Sequence, residues 1–381
     1  MEVPLSISHI VMWTDRAGRE ASRQHLARLL SDHHLASPGA ETTHLRVDLG
    51  SWRLRWEMHT EFVSWTFMRE AKDDALSQTE PPTALQVVPQ DWLQALPGSA
   101  LAKLHLWAMP ARALDNGNFA RILQEDSLVA STLSDGQAEI HTDFQIHADG
   151  FSRMVLFVGS VTPRRTGRIV QQLLEIETYR MAAMLGLPAA RQAGAALSDA
   201  ERELAELAQA IRSADRSSEA ALLDRLTTLA GQVEGQYAAT HSRFSATKAY
   251  FELVDRRIHD IRESRLAGQQ TIAEFMDRRL SPARSTCEWA VRRQTALSER
   301  VSRMSNLLRT RVEIEQQQSS QDLLSAMNRR QGLQLKLQST VEGLSVAAIT
   351  YYLTGLVHHV AEGIDRKSTR LNSSHSQQSR M

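Results

Sequence analysis

Cysteine is nearly absent from this chain. Cys287 is the only one, so no intramolecular disulfide framework holds the fold, and a reducing compartment suits it. A surplus of either charge sign is absent too. Lys+Arg and Asp+Glu both number 44, which removes the global basic bias expected of a nucleic-acid binder. The opening stretch MEVPLSISHIVMWTDRAGRE lacks the basic n-region of a signal peptide, and Asp15 and Glu20 follow a short, interrupted apolar patch. No P-loop, Gly-rich dinucleotide turn, Cys-x-x-Cys pair or nucleophile elbow occurs, which lowers the expectation of an enzyme without excluding one. Low hydrophobicity is not among the shortages. At 42% apolar over 381 residues, the chain can fill two or three domains with packed cores.

Proline is scarce in one part only. Eight of ten prolines fall at or before Pro163, and six of seven tryptophans fall before residue 108. Proline costs about 3 kcal/mol inside a helix, so the later region is open to long helices. A domain boundary is expected near Thr162-Pro163-Arg164-Arg165.

The first part reads as α+β. Arg16 to Leu30 has Leu26, Leu29 and Leu30 at helical spacing. In HLRVDLGSWRLRWEMHTEF, Leu45, Val47 and Leu49 alternate with polar residues, and so do Trp52, Leu54, Trp56 and Met58. This period of two predicts half-buried strands joined by a hairpin at Gly50-Ser51. EIHTDFQIHADG predicts a third strand, with Ile140, Phe144 and Ile146 on one face and His141, Asp143, Gln145, His147 and Asp149 on the other. The apolar run Arg153–Gly159 predicts a central strand, with a hairpin around Gly150 before it.

The second part reads as helical. RIVQQLLEIETYRMAAML carries an apolar face and stops at Gly186-Leu187-Pro188. Ser198-Asp199-Ala200-Glu201 has the form of a capping box. Phe244, Thr247, Phe251, Val254, Ile258 and Ile261 repeat at alternate spacings of three and four, a heptad seam. Leu297, Val301, Met304 and Leu308 form a second. Two long antiparallel helices follow, roughly Ser217–Leu266 and Pro282–Leu337, with Pro282 in the first turn of the second.

From Leu344 to Val360 the chain carries an uncharged, largely apolar run of 17 residues. That is the lower limit for a membrane-spanning helix. Either it packs on the coil as a core helix or it enters lipid. No turn precedes it to fold it back, and Ala347, Ala348 and Gly355 allow close helix packing in lipid. The residues expected to meet lipid are Leu344, Val346, Ile349, Tyr351, Tyr352, Leu353, Leu356 and Val357. Arg329, Arg330 and Lys336 precede the run, which favours a cytoplasmic body.

Two polar strand faces are candidate sites. Arg53, Arg55, Glu57, His59 and Glu61 share one face and could bind an anion or move protons. The same alternation also describes a charge-paired exposed face. His141, Asp143 and His147 could hold a divalent metal with help from neighbouring strands, although their spacing matches no known ligand motif and a solvated face would look the same. Otherwise no cofactor is expected. Cys287, with no histidine near it in sequence, reads as structural.

The segments VEGLSVAAITYYLTGLV, RRQGLQLKLQSTVEGLS, LRWEMHTEF and RFSATKAYFELV resemble the domain-of-unknown-function 3422 family of predicted membrane-anchored bacterial proteins. The resemblance spans roughly Ser8 to Ile364. It implies an N-terminal α+β domain, a helical region and a C-terminal membrane hairpin. The family's opening Asn-Glu-Leu-His-Ala-Arg-Pro does not precede Ser6, and in place of a second apolar helix stands DRKSTRLNSSHSQQSRM. That tail is polar and resembles translated sequencing-library sequence, so Arg366–Met381 is expected to be foreign and the chain a fragment.

The expected architecture is therefore α+β: an α+β domain over 1–163, a helical coiled-coil stalk over 164–340, a membrane-anchor helix over 341–364 and a disordered tail over 365–381. The expected function is that of a membrane-tethered scaffold or sensor at the bacterial inner membrane. Lipid and a second copy or another protein are its expected partners, and nucleic acid is not among them. Two alternatives stand beside it. The order of parts is similar to that of CorA-type magnesium channels, although their Gly-Met-Asn signature is missing; Ala326-Met327-Asn328 is the nearest string. A metal-dependent enzyme on the histidine-bearing strands is the other.

Overall fold

The computed structural model describes residues 1–78, 80–116, 121–213 and 218–374. Strand β1 (Leu5–Trp13) leads into helix α1 (Arg16–Asp32). The Asp15 carboxylate caps that helix, accepting from the Gly18 N–H at 2.7 Å. Strands β2 (His44–Asp48), β3 (Arg53–Met58) and β4 (Phe62–Glu70) follow, then a short α2 (Gln90–Gln94). Strands β5 (Ser99–Pro110), β6 (Val129–Leu133), β7 (Ala138–Thr142) and β8 (Ser152–Val158) complete the strand-rich part. Helices α3 (Pro163–Met184), α4 (Gly186–Ser213) and α5 (Glu219–Asp260) come next, then a two-residue β9 (Ser264–Arg265) and the long α6 (Ile272–Ser374). The fold is α+β.

The sheet order is β2-β3-β4-β1-β5-β8-β7-β6-β9. Every pair is antiparallel except β5 with β8. The β2–β3 hairpin turns at Gly50, whose φ of 84° suits glycine. The Asp48 carboxylate accepts from the Gly50 N–H at 2.9 Å and fixes the turn. Strand β8, expected to be central, lies between β5 and β7 and is buried along nearly its whole length.

Each face of the sheet is covered. Leu26, Leu29 and Leu30 of α1 pack with Ile10, Leu54, Trp56, Trp65 and Phe67 on one face. On the other, Ile7, Leu104, Leu106, Met154 and Leu156 meet Ile169 and Leu173 of α3, Phe251 and Val254 of α5, and Ile272 and Phe275 of α6. Each such side chain contributes about 1.5–3 kcal/mol when fully buried. The seam residues of α5 are thus buried against a sheet as well as against helices: Phe244 joins Ala190 and Ala193 of α4 with Cys287 and Ala290 of α6.

Three local expectations are corrected. The strand beginning at residue 138 ends at Thr142 rather than running to Asp149. Phe144 takes a left-handed φ of 50°, which ends the alternation and turns its ring onto Phe275, 4.7 Å away and nearly parallel. Ser198 does not cap a helix. It lies inside α4, where its Oγ donates to the Gly194 carbonyl at 3.0 Å, and Glu201 instead receives the Arg293 guanidinium. Pro282 is the eleventh residue of α6, not in its first turn. The true cap is Thr271: its Oγ1 accepts from the Glu274 N–H while the Glu274 carboxylate accepts from the Thr271 N–H, both at 3.2 Å. Glu263 adds a carboxylate at that helix N-terminus, accepting from the Ile272 and Ala273 N–H groups at 2.9 and 2.7 Å.

The chain divides into two compact units. The first is Met1–Ala210 with Leu226–Ser302 and holds the sheet and its covering helices. The second is Ile211–Arg225 with the residues from Arg303 onward. Within it, Glu219 is buried and the Arg311 guanidinium lies 2.6 Å from its carboxylate. From residue 316 to residue 364 every side chain is exposed. Helix α6 continues into the polar tail as far as Ser374, and residues 375–381 lie outside the described ones.

Candidate functional site

Period-two patterning places Arg55 and Glu57 of β3 opposite Thr66 and Ser64 of β4, and these stand opposite His9 and Val11 of β1. The result is a polar stripe across three strands of an otherwise apolar sheet face. Helix α3 lies over it with Gln171, Leu174, Glu175, Thr178 and Tyr179.

His9 is the centre of this stripe. Its Nδ1 lies 2.8 Å from Thr66 Oγ1, and its Nε2 lies 3.0 Å from Thr178 Oγ1. Thr178 donates to the Leu174 carbonyl at 2.8 Å. Its hydroxyl therefore accepts from His9 Nε2–H, and Thr66 donates to Nδ1. Burial, then the positive charge of Arg55, pulls the His9 pKa down to about 3. The ring is neutral at pH 7.

The surrounding charges are matched. Arg55 pairs with Glu57 at 2.6 Å. Glu61 accepts from both terminal nitrogens of Arg243 and from the Tyr250 hydroxyl at 2.7 Å. Arg243 also sits over the Trp13 ring, 4.8 Å from its centre. Glu175 of α3 receives Arg257 of α5. Tyr179 and Tyr250 stack with ring centres 6.0 Å apart, and burial raises both phenol pKa values, helped for Tyr250 by the Glu61 carboxylate. His59 stacks on Phe62 at 4.4 Å, and burial lowers its pKa.

The space left among these groups is about 40 Å³. A buried water needs roughly 10–15 Å³ by the same measure, so a few waters fit and a metabolite does not. The arrangement is a charge-matched clamp that fixes the sheet to α3 and α5. Of the five residues read from sequence, Arg55, Glu57 and His59 line this space, and Glu61 joins the same network through Arg243 and Tyr250. Arg53 is exposed, opposite Asp48 of β2. Sequence reasoning missed His9, although a lone histidine among Ile7, Ile10 and Val11 is a visible sign of a buried polar contact. The helical partners Glu175, Tyr179, Arg243, Tyr250 and Arg257 carried no comparable sign.

In the second candidate set, Asp143 and His147 stay in contact and His141 meets Glu139. His141 Nε2 lies 2.6 Å from the Glu139 carboxylate, and burial lowers its pKa. Asp143, fully buried, accepts from the Gln124 N–H through Oδ2 at 2.9 Å and from the Gln145 N–H through Oδ1 at 3.0 Å, and His147 Nε2 lies 2.8 Å from the same Oδ2. It organises a loop. Because the strand ends at Thr142, His141 and His147 share no strand face. Among the described residues no group of three or more His, Cys, Asp or Glu converges as metal ligands would. Cys287 is buried, and burial raises its thiol pKa.

The apolar end of α6 is uncovered. Leu344, Val346, Ile349, Tyr351, Tyr352, Leu353, Leu356 and Val357 are each between 57% and 76% exposed. By length and composition α6 can cross a membrane, and none of its most apolar window is buried by the rest of the chain.

A sheet domain clamped to helices, running on into a long helix with an apolar end and displaying no metal cluster among its described residues, defines an α+β protein with a helical extension. The chain belongs to the family described as Protein of unknown function (DUF3422), whose model matches residues 1–377. No curated protein and no solved structure matches it.

Proposed function

We propose that this is a membrane-tethered scaffold or sensor of the bacterial inner membrane, with its α+β body on the cytoplasmic side. The exposed apolar segment Leu344–Val360 on α6 carries this reading. In water it would leave a patch of the kind soluble monomers do not present. A helix satisfies all its backbone groups internally, so lipid is a fitting cover. Arg329, Arg330 and Lys336 support the cytoplasmic side.

Upstream of this segment, Ile314, Leu323, Leu324, Met327, Leu333 and Leu337 are also more than half exposed. Isolated helices take most of their stability in proteins from packing, so this stretch of α6 is the part through which a second copy would pair as a coiled coil. The test is extraction and sizing of the full chain. Retention in membranes after alkaline washing, followed by a dimer or larger assembly in mild detergent, supports the proposal. A monomer that leaves the membrane with the wash counts against it, and a symmetric pentamer favours a channel instead.

A further inference from the structure

A polar cleft lies away from the His9 clamp, where α3 begins beside the end of α5. It measures about 660 Å³, and its walls include Arg164, Arg165, Arg168, His259 and Arg262. All of these belong to the first compact unit. Asp135 lies 3.7 Å from Arg165 and 3.5 Å from Arg262, so one carboxylate is shared between two guanidiniums. Asp260, also at the cleft, lies 3.2 Å from Arg257, which it shares with Glu175. Among the described residues no carboxylate pairs with Arg164 or Arg168. Four guanidiniums against Asp135 and Asp260 leave an excess of two positive charges, since Arg257 is already engaged by Glu175.

Elsewhere in this unit the charges pair closely: Arg243 with Glu61, Arg257 with Glu175, Arg293 with Glu201 and Arg284 with Asp255. Arg164 and Arg168 stand four residues apart on one helix, where like charges repel. That arrangement is unfavourable until an anion enters. Guanidinium forks suit phosphate oxygens in particular, giving paired, charge-assisted hydrogen bonds. The start of α3 adds a positive dipole end.

We propose that this cleft binds a phosphate-bearing anion, either a soluble polyphosphate compound or the headgroup of an anionic lipid. The guanidiniums of Arg164 and Arg168 grip the phosphate, and those of Arg165 and Arg262 share it with Asp135.

Titration calorimetry on the detergent-solubilised full chain tests this, with tripolyphosphate and, separately, monomeric dioctanoyl phosphatidic acid as probes. Binding of either is expected, with affinity falling at least tenfold in R164Q/R168Q and in R262Q. The side chains changed are exposed, so unaltered melting temperatures are expected and confirm that the loss is local. Stronger binding of tripolyphosphate assigns a soluble ligand; stronger binding of the short-chain lipid assigns a headgroup. Binding of neither probe, or binding that both variants retain, overturns the proposal.

Discussion

At the residue scale, the chain spends its buried polarity on fixing elements to each other. Glu61 receives three donors from α5, two from Arg243 and one from Tyr250. Removing the carboxylate leaves half-buried donors unsatisfied. Glu61→Ala should therefore lower stability by about 1–3 kcal/mol in urea denaturation, and Glu61→Gln by less. His9 and His105 act differently. Burial lowers their pKa values from 6.5 to about 3 and about 4, and His105 lies 2.8 Å from the Ser8 hydroxyl through Nδ1. The unfolded chain takes up these protons near pH 6.5, whereas the folded chain resists them until far lower. Their contribution is fully present above pH 6.5 and is lost as pH falls toward 4 and then 3. Well inside that window each histidine should cost about 1.4 kcal/mol of stability per pH unit. Denaturation midpoints at pH 7, 5.5 and 4.5 measure this, and His9→Gln should flatten the slope.

At the element scale, what could be read in advance depended on how local the cause was. The β2–β3 hairpin was legible because alternation and Gly50 act within a few residues. The heptad spacing of α5 marked its buried side, since Phe244, Thr247, Phe251 and Val254 are all buried. It could not say that Phe251 and Val254 lie on the sheet. The residue pattern from 138 to 149 misled because Phe144 abandons extended backbone, a choice made by Phe275 far away in sequence. Pro282 misled because the helix begins earlier, at the Thr271 cap. Of the candidate site, the strand half was legible and the helical half was not, because Glu175, Tyr179 and Arg257 look like any amphipathic-helix residues until α3 and α5 are docked. The α3–α4 junction offers a test. A Cβ on Gly186 would sit 2.5 Å from Thr247 Oγ1 and 2.6 Å from its Cγ2. Gly186→Ala should cost about 1–3 kcal/mol by overpacking, and Gly186→Ala with Thr247→Ser should recover part of it in the same denaturation assay.

At the scale of the whole molecule, the account turns on what covers the end of α6. Its apolar residues are exposed in the folded chain, and the proposal is that lipid takes them. An arginine at the centre of a spanning helix costs about 2.5–3.5 kcal/mol. Two of them, at Ile349 and Leu353, should outweigh a short span while leaving the body untouched, because both side chains are exposed. The most direct measurement is the distribution of the full chain between membrane and supernatant after alkaline carbonate washing, compared with I349R/L353R. The account predicts that the unaltered chain stays with the membrane and that the double variant is released as folded protein. An unaltered chain found in the supernatant, or a variant that remains bound as firmly as its parent, would contradict it.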